Sequence, residues 1–322
     1  MRIAFCSGLS LRYGGGGERW IIQLSKELVA RGHDVEIYCL PFLLEDGGKL
    51  DPKKELGSIP YHEGYFHIID ADVVYIVYHP LNWLNFWVIH GKKIAGMHSN
   101  AYWKPLSWSY GLLPNLAIVV NWFTSKYELG KFKAVHTPLD EYHINHPNVI
   151  SIPNFVDSSY HIPSGNKPKQ FTVGFASRKT WSKGYDVWNQ LKPILEKDNI
   201  KTMETGGLTD KQLAQFYDDC HIIFVPARVD TFGLSIIEAV LWGKSIPLVS
   251  SVLAHRALGL PLFYADTAES AHRRILEIKE MWDSGIYQIY AQILFKQAEK
   301  FDKVKVIDQL ENMFIEVAKS DR

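Results

Sequence analysis

Cysteine is scarce in this chain, with only Cys6, Cys39 and Cys220 present. Three thiols cannot build a disulfide framework, and no Cys or His pair has a zinc-ligand spacing, so no metal site is expected. Cys6 and Cys39 sit in short apolar runs that read as strands, which makes both small buried thiols and fits a reducing, cytoplasmic compartment. Net charge is also lacking: Lys plus Arg and Asp plus Glu number 35 each. A nucleic-acid binder with a broad basic face is thereby excluded, though a local basic cleft is not. No apolar run approaches the ~18 residues of a membrane-spanning helix. A transmembrane segment is therefore not expected, which leaves peripheral contact with a membrane open. The opening Met1-Arg2-Ile3-Ala4-Phe5-Cys6-Ser7-Gly8 carries too short an apolar stretch for a signal peptide. With 23 Gly and 15 Pro, the composition has no collagen-like or low-complexity character.

What is present is ordinary globular material, 47% hydrophobic and 22% charged, in 322 residues. At about 150 residues per domain, that length suggests two domains. Short apolar runs alternate with longer segments of helical period. The spacing predicts a strand over 3–5, a helix over 18–31 with Trp20, Ile21, Leu24 and Leu28 on one face, a capping Gly32, and a strand over 35–40. That is a βαβ unit, the building block of parallel sheets. Further strands are expected over 73–77, 94–97, 116–120 and 149–152, with a helix over 81–90. A break rich in Pro and Gly over 153–168 reads as an interdomain linker. A second series follows, with strands over 171–175, 200–204, 221–225 and 246–249 and helices over 185–195, 210–218 and 234–242. Thr209 and Gln212 form a capping-box start. From 268 onward the pattern is helical, ending in a helix over 303–319. The expected fold is therefore α/β, with two Rossmann-like domains facing a cleft: 1–155, then 156–302, then a terminal helix over 303–322.

Three stretches could carry chemistry. In Pro226-Ala227-Arg228-Val229-Asp230-Thr231-Phe232-Gly233-Leu234-Ser235-Ile236-Ile237-Glu238, a strand ends and a helix begins. The amides of Gly233, Leu234 and Ser235 precede the first intrahelical bonds and, with the helix dipole, form a natural phosphate site. Glu238, one turn in, suits a ribose diol better than a phosphate of like charge, and Asp230 can accept hydrogen bonds from sugar hydroxyls. In Gly174-Phe175-Ala176-Ser177-Arg178-Lys179-Thr180-Trp181-Ser182-Lys183-Gly184, two cations on a strand-end loop can clamp a diphosphate, Arg178 by its planar fork and Lys183 as a point charge. Lys179 ranks below them. The run Gly14-Gly15-Gly16-Gly17 between a strand and a helix lets backbone approach phosphate or sugar, but lacks the Gly-x-Gly-x-x-Gly spacing of a dinucleotide site.

Asp230 and Glu238 around Phe232-Gly233, with Arg178 and Lys183-Gly184 upstream, resemble the retaining GT-B glycosyltransferases of glycosyltransferase family 4. The family usually has Glu first, so Asp230 is one methylene shorter. Another departure is Phe155, where Gly is usual. The resemblance covers nearly the whole chain and implies that Arg178 and Lys183 hold the donor diphosphate, with Phe232, Gly233 and Leu234 beside it. It implies Glu238 on the ribose, and Asp230 on the sugar together with His98, just past the strand over 94–97. It also implies that Gly15, Gly16 and Gly17 form the first-domain loop and that the last helix crosses back to domain one. The implied activity is transfer of a sugar from a nucleotide-diphosphate sugar to a hydroxyl of a carbohydrate, lipid or protein, with retained configuration. It needs neither a metal nor any cofactor beyond the donor substrate. The aromatic stretch over 101–110 could line the acceptor site, though packing explains it as well. Two other readings remain: a sugar-nucleotide epimerase of the same fold, and a catalytically silent nucleotide-sugar binding module. An NAD-dependent oxidoreductase is more distant.

Overall fold

The computed structural model describes residues 1–41, 50–77, 88–98, 129–140, 146–162 and 167–320, together with residues 116, 119, 120, 127 and 144. The chain divides into two compact units, Met1–Pro153 with Ile307–Arg322, and Asn154–Val306. The first unit is built on a parallel sheet in the order β3-β2-β1-β4-β5-β6-β7. Its strands are β1 (Arg2–Ser7), β2 (Asp34–Cys39), β3 (Tyr61–Glu63), β4 (Ile68–Val77), β5 (Val88–Gly96), β6 (Ala134–Thr137) and β7 (Val149–Ser151). Helix α1 (Gly16–Ala30) connects β1 to β2 and buries Trp20, Ile21, Leu24 and Leu28, the face read from the 3.6-residue period. A short helix α2 (Pro52–Leu56) follows, started by Asp51, whose carboxylate accepts from the amides of Lys53 and Lys54.

The second unit repeats the plan with the order β12-β11-β10-β8-β9. Its strands are β8 (Thr172–Phe175), β9 (Lys201–Glu204), β10 (Ile222–Val225), β11 (Ile246–Val249) and β12 (Phe263–Tyr264). Between them run α3 (Tyr185–Lys197), α4 (Asp210–Asp218), α5 (Leu234–Gly243) and the short α6 (Leu253–Arg256), and α7 (Ala268–Asp283) and α8 (Ile286–Ala298) follow. Strands β8, β10 and β11 are buried throughout, which is why they read as continuous apolar runs rather than alternating ones. The capping box at Thr209 and Gln212 is present. Val156 bridges Asp302, so the chain entering this unit is pinned to the chain leaving it.

The last helix, α9 (Lys303–Lys319), starts in the second unit, and from Ile307 it belongs to the first. Phe314 packs edge-on against Phe5, with ring centroids 5.8 Å apart. Glu311 meets Arg31 at 2.5 Å and His33 at 2.8 Å.

Two expectations are corrected. Leu116, Val119 and Val120 are helical, not part of a strand. Their apolar run is too short for its period to separate the two states. The helix expected over 81–90 does not hold at its end, because Val88, Ile89 and His90 belong to β5, paired with Ile68, Ile69 and Asp70 of β4. The rest of that segment lies outside the described residues, as does the aromatic stretch over 101–110. Among the described residues, no helix is long and apolar enough to cross a membrane. Cys6, Cys39 and Cys220 are free and buried; burial pushes the Cys39 thiol up to about 11.

Candidate functional site

The second unit gathers its chemistry beyond the carboxyl ends of three neighbouring strands, β8, β10 and β11. In open parallel sheets ligands bind at that edge. After β8 the chain passes Arg178 and Lys179, both exposed, and makes one 3₁₀ turn, Trp181–Lys183, closed by Gly184. Gly184 has φ +73°, and a Cβ there would lie 2.1 Å from the carbonyl oxygen of Pro226. Only glycine lets this turn touch the loop after β10. The two segments are then zipped together. The amides of Arg228 and Val229 donate to the Ser182 carbonyl at 2.9 and 3.2 Å. The Arg228 guanidinium forks onto Asp186 at 2.6 and 2.7 Å and lies over the Trp181 ring, 4.6 Å from its centroid.

This zipper carries Lys183 to Asp230. Lys183 Nζ lies 3.3 Å from Asp230 Oδ2 and donates to the Val229 carbonyl at 3.3 Å. Asp230 Oδ1 accepts the Thr231 amide at 2.8 Å, and Oδ2 lies 3.4 Å from His255 Nε2. Burial alone would push this carboxyl up. The Lys183 charge, His255 and the Thr231 amide outweigh it and hold Asp230 far below the usual carboxylate range. Lys179 takes a different partner, Glu204 at 2.7 Å, which separates it from Lys183 in role.

Helix α5 begins where the sequence placed it. Gly233 is its N-cap with φ +86°, and the first bonds run from Ile236 and Ile237 to the Gly233 carbonyl. The amides of Leu234 and Ser235 precede that ladder, at the helix's positive end. Phe232 is buried, edge-on to Phe301 at 5.6 Å, so it anchors the loop from below. Glu238 Oε2 accepts a hydrogen bond from the buried Tyr217 hydroxyl at 2.9 Å. Tyr217 comes from α4, which fixes the Glu238 rotamer from a neighbouring helix.

The other sequence-derived candidates lie on the first unit. His98 follows β5, with Nε2 2.7 Å from the Tyr75 hydroxyl and its ring 4.2 Å from that of Trp20. Gly15 is the N-cap of α1, and a Cβ there would meet Glu18 Oε2 at 2.7 Å. Gly16 and Gly17 are the first residues of that helix, and space around Gly17 is open. The helix thus begins two residues earlier than the period suggested, because glycine hides its own helical signal.

Sequence reasoning missed His255, Tyr217 and Asp186. His255 is fully buried, and its Nδ1 meets the Ser250 carbonyl at 3.0 Å. It sits in the short helix α6, six residues beyond the end of β11, and carried no signal in the sequence. Among the described residues, no group of three His, Cys, Asp or Glu could hold a metal ion.

No protein-family model matches the chain, and no curated protein does. Solved structures do. Sucrose-phosphate synthase from Thermosynechococcus elongatus superimposes with TM-score 0.71 at 13% identity, over 98% of this chain and 99% of that one. HepE from Anabaena, solved with UDP and glucose, gives 0.69 at 15%, over 98% and 99%. A glycosyltransferase from Rickettsia africae gives 0.70 at 15%, over 99% of both chains. The chain has the GT-B glycosyltransferase fold. At such identities the likeness fixes the fold, and the side chains above carry any statement about chemistry.

Proposed function

We propose that the chain is a retaining glycosyltransferase that moves a sugar from a nucleotide-diphosphate sugar to an acceptor hydroxyl without a divalent metal. The observation that carries this reading is the Lys183–Asp230 pair, held by the Gly184–Pro226 contact beside the start of α5. Arg178, Lys183 and the amides of Gly233, Leu234 and Ser235 would receive the diphosphate. Glu238, braced by Tyr217, would accept from the ribose hydroxyls. Asp230 and His98 would orient the sugar. When the glycosidic bond breaks, its electron pair goes to the leaving diphosphate oxygen, where fixed cations and amides stabilise the charge without reorganising. The acceptor oxygen attacks the same face and gives up its proton to the leaving diphosphate oxygen. HepE has been solved with UDP-glucose, so UDP sugars are the first donors to test.

Calorimetry with UDP and UDP-glucose on two variants tests the division of roles. Glu238→Gln loses a charge-assisted acceptor worth ~1.5–3 kcal/mol, so both ligands should bind about ten- to a hundredfold more weakly. Asp230→Asn removes a negative charge beside Lys183, so bare UDP should bind at least as well while transfer falls. Wild-type transfer should survive EDTA. Equal damage to both ligands in Asp230→Asn, or loss of transfer on chelation with recovery on Mg²⁺, would sink the assignment.

A further inference from the structure

In the first unit, four neighbouring strands bring one chain of polar groups to the carboxyl edge of the sheet. Tyr75 lies on β4, His98 just past β5, His136 on β6 and Ile152 just past β7, and β4 to β7 are adjacent in the sheet. The Tyr75 hydroxyl lies 2.7 Å from His98 Nε2 and 2.5 Å from His136 Nδ1, and His136 Nε2 lies 2.8 Å from the Ile152 carbonyl oxygen. The phenol reaches across β5 because residue 96 is glycine: a Cβ on Gly96 would sit 2.2 Å from the Tyr75 oxygen.

Each proton in this chain can be assigned from its far end. A carbonyl oxygen only accepts, so His136 Nε2 carries a hydrogen. His136 is fully buried, and burial pulls its pKa down to about 4, so the ring is neutral at neutral pH and Nδ1 holds a lone pair. The Tyr75 hydroxyl therefore donates to His136 Nδ1. Its single hydrogen is then committed, and its oxygen can only accept from His98. We infer that Tyr75 and His136 are positioning residues that hold neutral His98 in the Nε2–H tautomer, in which Nδ1 can act toward a hydroxyl only as an acceptor of its hydrogen. The reverse polarity would need an imidazolium at His136, an uncompensated cation in a site closed to water. A tautomer set by a neighbour's hydrogen bond is a general way to aim an imidazole. The role toward substrate rests on the glycosyl-transfer reading; the proton arrangement does not.

The experiment is nitrogen NMR of the full chain with ¹⁵N-labelled histidine, His98→Gln serving to assign the His98 signals. Near pH 8, wild-type His98 should show a protonated Nε2 and an unprotonated Nδ1. Tyr75→Phe should shift both nitrogens toward tautomer averaging and lower kcat by roughly ten- to a hundredfold, with a smaller change in donor KM. His136→Asn keeps an oxygen acceptor for the phenol and should retain the wild-type His98 signature, which His136→Leu should lose. A protonated Nδ1 in neutral wild-type His98, or His98 signals unmoved in folded Tyr75→Phe, would overturn the inference. So would an unchanged kcat once the tautomer has shifted. The wild-type spectrum decides the proton arrangement even if the Phe variant does not fold. The expected signature in a protein that transfers no sugar would count against the glycosyl-transfer reading alone.

Discussion

At the residue scale, Gly184 shows how a motif can be set by backbone contact as well as by the charge beside it. The Lys-Gly pair was read from the sequence for its cation. The structure shows that the glycine lets the cation reach Asp230: φ is +73°, and the Pro226 carbonyl leaves no room for a Cβ. Gly184→Ala must strain the backbone and push the turn off the loop after β10, at a cost of about 2–4 kcal/mol. Denaturation should read that loss. At a temperature where the variant is still folded, nucleotide binding should fall as well, because Lys183 and Asp230 are carried on the two separated segments. A variant of wild-type stability would show that the turn yields freely. Arg178, Lys183, Asp230 and Glu238 stood out in the sequence as candidates because they follow strands or lie at a helix start. His255 did not, because a lone histidine in a short helix has no spacing partner in sequence, and its link to Asp230 spans 25 residues.

At the scale of elements, long runs with clear period were read well, and short ones mainly where they are apolar throughout. Helices α4 and α9 fall where the period and the capping box put them, since each carries several turns of amphipathic pattern. Strands β3, β6 and β12 were missed while the equally short β10 and β11 were found, because those two are continuous apolar runs, whereas β3 holds His62 and Glu63, β6 holds His136 and Thr137, and β12 has two residues. What the sequence did not show is that the end of α4 is held by Lys167 from outside the helix. Its buried ammonium donates to the carbonyls of Tyr217, Asp218 and Cys220 at 3.0, 3.0 and 2.5 Å, and to Ser245 Oγ at 3.1 Å. A cation at a helix C-terminus satisfies orphan carbonyls and opposes the dipole. Lys167→Met keeps the stem but leaves the carbonyls bare, and should remove about 2–4 kcal/mol. Urea titration measures it. Because Tyr217 sits in that turn and holds Glu238, nucleotide affinity should drop in parallel. A stability change below about 0.5 kcal/mol would mean water replaces the ammonium without loss.

At the scale of the whole molecule, each unit contains a histidine that folding keeps neutral. In the first it is His136, drawn down to about 4 by burial. In the second it is His221, drawn down to about 3 by burial and then by the Lys167 charge. His221 Nδ1 accepts the Thr172 amide at 3.0 Å, so a proton there would have to displace that hydrogen bond. Both folded pKa values lie below the ordinary value near 6.5. Between about pH 6.5 and 4 the unfolded chain therefore binds protons that the folded chain refuses, and stability falls as pH falls. Each histidine can contribute a slope of up to about 1.4 kcal/mol per pH unit in that window. The depressed carboxyl of Asp230 acts in the same direction but only below the ordinary carboxylate pKa, so the histidine window can be read first. Urea unfolding at pH 7.5, 6.0 and 5.0 should show falling stability. Asn at either position keeps an acceptor near the Nδ1 place and titrates nowhere in this range. His136→Asn and His221→Asn should therefore each start from a lower stability, for lost packing, yet show a shallower dependence on pH. Should the two transitions separate, the first variant should flatten only the unit formed by Met1–Pro153 and Ile307–Arg322, and the second only Asn154–Val306. Slopes unchanged in both variants would mean that the acid sensitivity comes from carboxylates and that these two imidazoles accept protons without unfolding.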